Sequence, residues 1–232
     1  DSFGNSANWK VILLVLFGAA AGQAVVWYTG QFYVNAWLKT ALKIDAVTSD
    51  TVVALALLAG MPFFVVFGAL SDMIGRKKIM MAGNLIAAIF TYPIFKMIQS
   101  YGGTIVESVD AAGKVIVDAA GKPVMIAKDP NTLMIGVLIW VLVIFVTMVY
   151  GPIAAFLVES FPAKIRYSSV SLPYHIGNGY FGGFLPLIAT AMVARTGNIF
   201  AGLWFPIAVA TMTFIIGTLW LKETNHLKIH HE

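Results

Sequence analysis

The chain has 232 residues, 59% of them hydrophobic and only 11% charged, with a mean hydropathy of +0.83, whereas soluble domains carry roughly 25% charged residues. That composition excludes an ordinary soluble fold. The net charge of +4 comes from basic residues scattered between apolar stretches, which argues against a nucleic-acid surface, and the absence of cysteine excludes disulfides and thiolate chemistry.

The amino end, Asp1-Ser-Phe-Gly-Asn-Ser, has neither a starting Met nor a basic leader and reads as an internal cut or an inter-domain linker. The first apolar stretch, Lys10–Leu38, has no Asp, Glu, Lys, Arg or His between Val11 and Leu38, more than the roughly 20 residues that cross a bilayer. Five more follow at Thr51–Leu70, Lys77–Ile98, Thr132–Val158, Ser168–Val193 and Ile199–Leu221. Continuous apolar runs of this length exclude a β-barrel, whose strands alternate, so the predicted class is an all-α membrane protein with six transmembrane helices. Pro62, Pro93, Pro152, Pro173, Pro186 and Pro206 fall inside these stretches, as kinks do where neighbouring helices or a cavity satisfy the freed carbonyls. Gly177, Gly179, Gly182 and Gly183 predict close helix packing in the fifth.

Residues 100–131 are the one long polar connection, and they repeat a pattern: Asp110-Ala-Ala-Gly113-Lys114, then Asp118-Ala-Ala-Gly121-Lys122. Asp-x-x-Gly between β-branched runs is a hairpin turn signal, so a small three-stranded meander outside the membrane is predicted. Six spans leave both termini on one side. That side carries Lys10, Arg76, Lys77, Lys78, Lys164, Arg166, Lys222 and Lys228, eight Lys and Arg against seven opposite. The tight cluster at Arg76 makes it the cytoplasmic side.

Polar side chains at bilayer depth are costly facing lipid, so Gln23, Trp27 and Gln31, four residues apart, with Tyr28 and Asn35 beside them, predict a stripe facing a cavity or another helix. Tyr174 and Asn178 sit at similar depth in the fifth span, and together these seven are the candidate substrate-binding residues. Helical glue is the alternative reading of the stripe. His175 falls roughly 13 Å into its helix and is the candidate proton-coupling group; a packed, neutral histidine is the alternative. His226, His230 and His231 near the end read as a solvated tail, and neither a metal nor a cofactor is called for.

Between the second and third spans stands Gly68-Ala-Leu-Ser-Asp72-Met73-Ile-Gly75-Arg76-Lys77-Lys78. It resembles the signature loop of the major facilitator superfamily, Gly-x-x-x-Asp-x-x-Gly-Arg-Arg/Lys, at every fixed position, and departs only at Met73, where many members are basic. Tyr150-Gly-Pro to Glu159-Ser-Phe-Pro162-Ala-Lys164-Ile-Arg166, then Lys222-Glu223-Thr224, resemble the tenth and eleventh helices and terminus of that superfamily, most of all its metabolite:proton symporter family. The resemblance covers nearly the whole chain apart from the 100–131 loop. It implies helices seven to twelve of a twelve-helix carrier whose N-terminal half is absent, with alternating access about a midplane site. Asp72, Gly75, Arg76, Glu159 and Arg166 form the candidate cytoplasmic gate, with Glu159 shared between two guanidiniums or, alternatively, in an ordinary interfacial ion pair.

The leading function is therefore half of a secondary active transporter for a small polar metabolite, such as an organic acid, coupled to protons in a bacterial inner membrane. A sugar or drug carrier of the same superfamily is one alternative, and a non-transporting receptor or scaffold built on a carrier half is another. An enzyme is disfavoured because no nucleophile constellation, phosphate loop or intramembrane carboxylate pair is present. The expected partners are substrate, proton, lipid and either the missing half or a second copy, which would meet near Gln23, Trp27 and Gln31.

Overall fold

The computed structural model describes residues 6–225 apart from Lys164, so the tail histidines lie outside the described residues. Six helices are long and apolar enough to cross a membrane: α1 Asn8–Thr40, α2 Ala46–Ile74, α3 Arg76–Ser100, α4 Thr132–Glu159, α5 Arg166–Thr196 and α6 Ala201–Trp220. All six match the apolar stretches of the sequence, and their ends are set by caps. Asp45 accepts from the Thr48 N–H at 2.9 Å, which starts α2 five residues before the apolar run does. Bonds from Thr48 hold the Asp45 carboxyl below its ordinary range. Asn131 accepts from Met134 N–H at the head of α4, and left-handed Gly197 ends α5.

α1 is the packing centre. It contacts α6, α5 and α4, while α4 packs on α2 and α3, and α3 on α6. In its apolar stretch 67% of residues are buried, against 17% in α2 and 22% in α5. Both of these thinly covered helices contact α1. Ile139, Val143, Phe95, Leu185 and Val34 anchor the main core, and Ile12, Met80, Phe156 and Leu221 a second one near the α2–α3 turn.

Helices α1 and α5 are not regular. Leu16–Ala20 and Thr29–Tyr33 in α1, and Gly177–Gly183 in α5, are π turns, each absorbing one extra residue. The glycines of α5 divide in role. A Cβ on Gly177 would meet Ala20 Cβ at 2.9 Å and one on Gly182 would meet the Tyr28 ring at 2.6 Å, whereas Gly179 faces open space. Close packing thus holds for two of the four, and Gly179 and Gly183 lie on the exposed side.

The 100–131 connection keeps its two predicted turns but is not a full three-stranded meander. β1 (Thr104–Glu107) pairs directly and antiparallel with β2 (Met125–Lys128). The middle segment is held by the isolated bridges Val109 to Val115 and Val117 to Pro123 and by Ile116, which donates to the Ser108 carbonyl and accepts from Val124 N–H. Four residues separate the turns and Pro123 has no N–H to give, so the ladder cannot extend. In each turn the Asp Oδ1 accepts from the N–H groups two and four residues on, with Gly113 and Gly121 left-handed. The ribbon is tied to the bundle where Ala127 N–H donates to the Lys43 carbonyl at 2.9 Å.

Candidate functional site

At one end of the bundle a latch forms. Only Gly75 separates α2 from α3, with φ 122° and ψ 133°, a conformation that L side chains rarely adopt. The sharp turn points Arg76 back across the helix ends. Its Nε donates to both Glu159 oxygens, at 2.8 and 2.7 Å, and its Nη1 lies 2.6 Å from Asp72 Oδ1 and 3.2 Å from Ser71 Oγ. Side-chain exposure is 7% for Glu159 and 13% for Arg76, so this pair is desolvated, whereas Asp72 at 62% is wet. Charge-assisted bonds in that setting are strong but depend on every partner being present.

Arg166, expected to share Glu159, does not reach it. Its Nε donates to the Phe161 carbonyl at 3.1 Å, closing the α4–α5 turn whose carbonyls have no helical donors. Thr224 takes its place: Thr224 Oγ1 donates to Glu159 Oε2 at 2.6 Å. Glu223 caps α3, accepting from Lys77 N–H at 3.1 Å, and Lys77 Nζ in turn donates to the Thr218 and Leu221 carbonyls. Sequence reasoning had Lys222-Glu223-Thr224 only as a family likeness, since nothing local says that the end of α6 folds back onto Arg76.

Half-way along the bundle a second group assembles where α1, α2, α4 and α5 meet. Gln23, fully buried, faces Asn178 through two long amide contacts of 3.4 and 3.5 Å, and Asn178 also donates to the Tyr174 carbonyl at 2.9 Å. The Tyr174 and Tyr150 hydroxyls are 3.0 Å apart, and the Tyr150 ring stacks 4.3 Å from Trp27, with Phe64 behind. Gln23, Trp27, Tyr174 and Asn178, which the sequence puts at similar depth, are gathered here with Tyr150 and Phe64, which it did not name as site residues. The wall offers two amides, two phenols and an indole face.

The remaining predicted residues diverge. Tyr28 turns toward Phe32 and Gly182. Gln31 is half-buried, its Nε2 without a protein partner. Asn35 reaches α2 and donates to Asp50. His175 is exposed on α5, its ring edge-on to Tyr174 at 5.8 Å and outside the amide pair, because it lies about 100° round the helix from Tyr174. Of the three residues expected near a second copy, Gln23 has no exposed surface and Trp27 and Gln31 are partly exposed. Among the described residues the ion pairs lie only at the two ends of the bundle, and no cluster suited to a metal is found.

Six spans, a charge latch at one end and a polar wall at mid-depth make up one membrane-spanning helical bundle. No family model matches the chain, and no solved structure does. Curated relatives do. The chain is 28% identical over 193 residues to a citrate-proton symporter of Klebsiella pneumoniae, covering 83% of this chain and 37% of that protein. It is 28% identical over 222 residues to the alpha-ketoglutarate permease of Escherichia coli (strain K12), 96% of this chain and 44% of that one. A putative proline/betaine transporter of Staphylococcus aureus (strain MSSA476) is 24% identical over 210 residues, 90% and 39% respectively. The chain thus spans about two fifths of these relatives' length and matches their C-terminal portion. It is similar to metabolite transporters of the major facilitator type over that portion.

Proposed function

We propose that this bundle forms one wall of a secondary carrier that moves a small carboxylate-bearing metabolite by alternating access, coupled to protons, in the bacterial inner membrane. The observation that carries this reading is the mid-depth wall of Gln23, Asn178, Tyr174, Tyr150 and Trp27, in which all but Gln23 are partly exposed. Polar groups held partly exposed at bilayer depth suit a cargo and a companion bundle. Citrate, alpha-ketoglutarate, proline and betaine, named for the relatives, each carry a carboxylate, and the proton is named for one of them.

The latch, with Asp72, Gly75, Arg76, Glu159 and now Thr224, serves as the gate at the cytoplasmic end, where both termini lie. A cysteine placed at Ala112 in the ribbon is then labelled by an impermeant reagent from outside the cell and one at Lys77 is not; the reverse pattern overturns this orientation. His175 handles the proton only where a companion bundle covers it, since its ring is exposed here.

For the carrier containing this bundle, reconstituted in liposomes with a pH gradient, saturable uptake of citrate or 2-oxoglutarate is expected. Gln23→Ala should lower kcat/KM by roughly tenfold or more, because it releases the partly exposed Asn178 amide that Gln23 positions toward the cargo. Uptake that is absent, or indifferent to Gln23, overturns the reading.

A further inference from the structure

At the ribbon end of the bundle two donors on successive turns of α1 converge on a single oxygen. Asn35 Nδ2 lies 2.7 Å, and Lys39 Nζ 2.6 Å, from Asp50 Oδ1 near the start of α2. The geometry points to a carboxylate-capture subsite made by Lys39 and Asn35 at this mouth, in which Asp50 is a built-in stand-in for the cargo's own carboxylate. It deepens the proposed function and rests on it.

Three features support the assignment. An ammonium and an amide N–H do not distinguish the Asp50 carboxylate from a free one, so the donor set already fits the ligand. The cluster is accessible, with side-chain exposures of 32% for Lys39 and 57% for Asp50, and an ion pair in that much water is weakly held and easily exchanged. The third feature is the path inward. One turn below Asn35, the buried Gln31 Nε2 is a donor without a partner among the described residues.

The helix itself keeps this path in line. Residues four apart drift by about 40° per step on a regular α-helix, so the row Lys39, Asn35, Gln31, Trp27, Gln23 would wind through roughly 160°. The π turn Thr29–Tyr33 lies inside the row, and its one extra residue sets the row back by about 100°. Donors thus lead from the mouth to the wall over roughly 24 Å. From Val11 to Leu38 no charged residue competes for an anion along the way.

The test uses the intact carrier in liposomes, with initial rates of citrate and 2-oxoglutarate uptake from the ribbon side. Lys39→Gln should raise KM roughly tenfold while kcat moves much less, and should flatten the rise of KM with salt that is expected of the unmodified carrier. Asp50→Asn should do the opposite, lowering KM about threefold, because it removes the internal competitor. Lys39→Arg should keep most of the affinity. A purely structural ion pair predicts the same sign for both partners, so a KM raised by Asp50→Asn as well as by Lys39→Gln overturns the subsite and leaves the proposed function standing. An unchanged KM and salt dependence in Lys39→Gln also overturns it, with no need for the Asp50 variant to fold. Absence of uptake by the unmodified carrier overturns the proposed function, and the subsite with it.

Discussion

Replacing Glu159 with alanine is expected to destabilise the bundle by about 3 kcal/mol, the penalty for leaving a desolvated charge without its partner. Arg76, 13% exposed, would keep only the wet Asp72 carboxylate and the neutral, buried Ser71 hydroxyl. Thr224 would lose its acceptor too. Unfolding in mixed micelles by titrated denaturant measures the cost, and a loss below about 1 kcal/mol would mean the pair is as loosely held as an exposed one. Arg166→Ala serves as the contrast. Its guanidinium meets only the Phe161 carbonyl, so a neutral-scale loss of about 1 kcal/mol is expected there.

The second large effect is at the crossing of α1 and α6. A Cβ added to Gly217 would stand 2.5 Å from the Gly18 carbonyl oxygen and 2.8 Å from Met81 Cε. The methionine can swing away, but the backbone of Gly18 cannot, so the helices must part and the buried contacts around Leu221 and Met81 open with them. Gly217→Ala should cost about 3 kcal/mol, at the upper end for overpacking. Gly179→Ala, with nothing within 4 Å of the new methyl, should be neutral or slightly stabilising, since alanine is the better helix former. Comparing the two by the same unfolding titration separates packing from propensity, and equal effects would contradict the close approach at Gly217.

What the sequence made legible was whatever depends on composition and short-range chemistry. The six spans follow from the length of uncharged runs, the Gly75 turn from a backbone that side chains avoid, and the meeting of Tyr174 with Asn178 from a four-residue step on one helix face. Harder to read was anything set by phase or by distant chain. The π turns leave no local mark in Thr29-Gly-Gln-Phe-Tyr33, yet one of them decides whether Asn35 shares the side of Gln23. His175 is one residue from Tyr174, and that single step carries it from the wall to the outside. Arg166 had two possible acceptors, and the unfilled carbonyl beside it was nearer than the carboxylate across the gap. Tyr150 and Phe64 passed as ordinary apolar residues, because only the fold reveals what their rings touch.

The closure of the latch by Glu223 and Thr224 also has a bearing on the order of events during synthesis. Lys77 and Glu223 stand 146 residues apart, and ribosomes add roughly 5 to 20 residues per second, so Arg76 and the head of α3 emerge roughly 7 to 30 s before their last partners. In that interval the early helices can enter the bilayer, tilt and exchange neighbours without the lock engaged. A nascent bundle stopped just after α6 would have its spans but not its fastening, and would be a looser target for membrane proteases than one extended by only a few residues more.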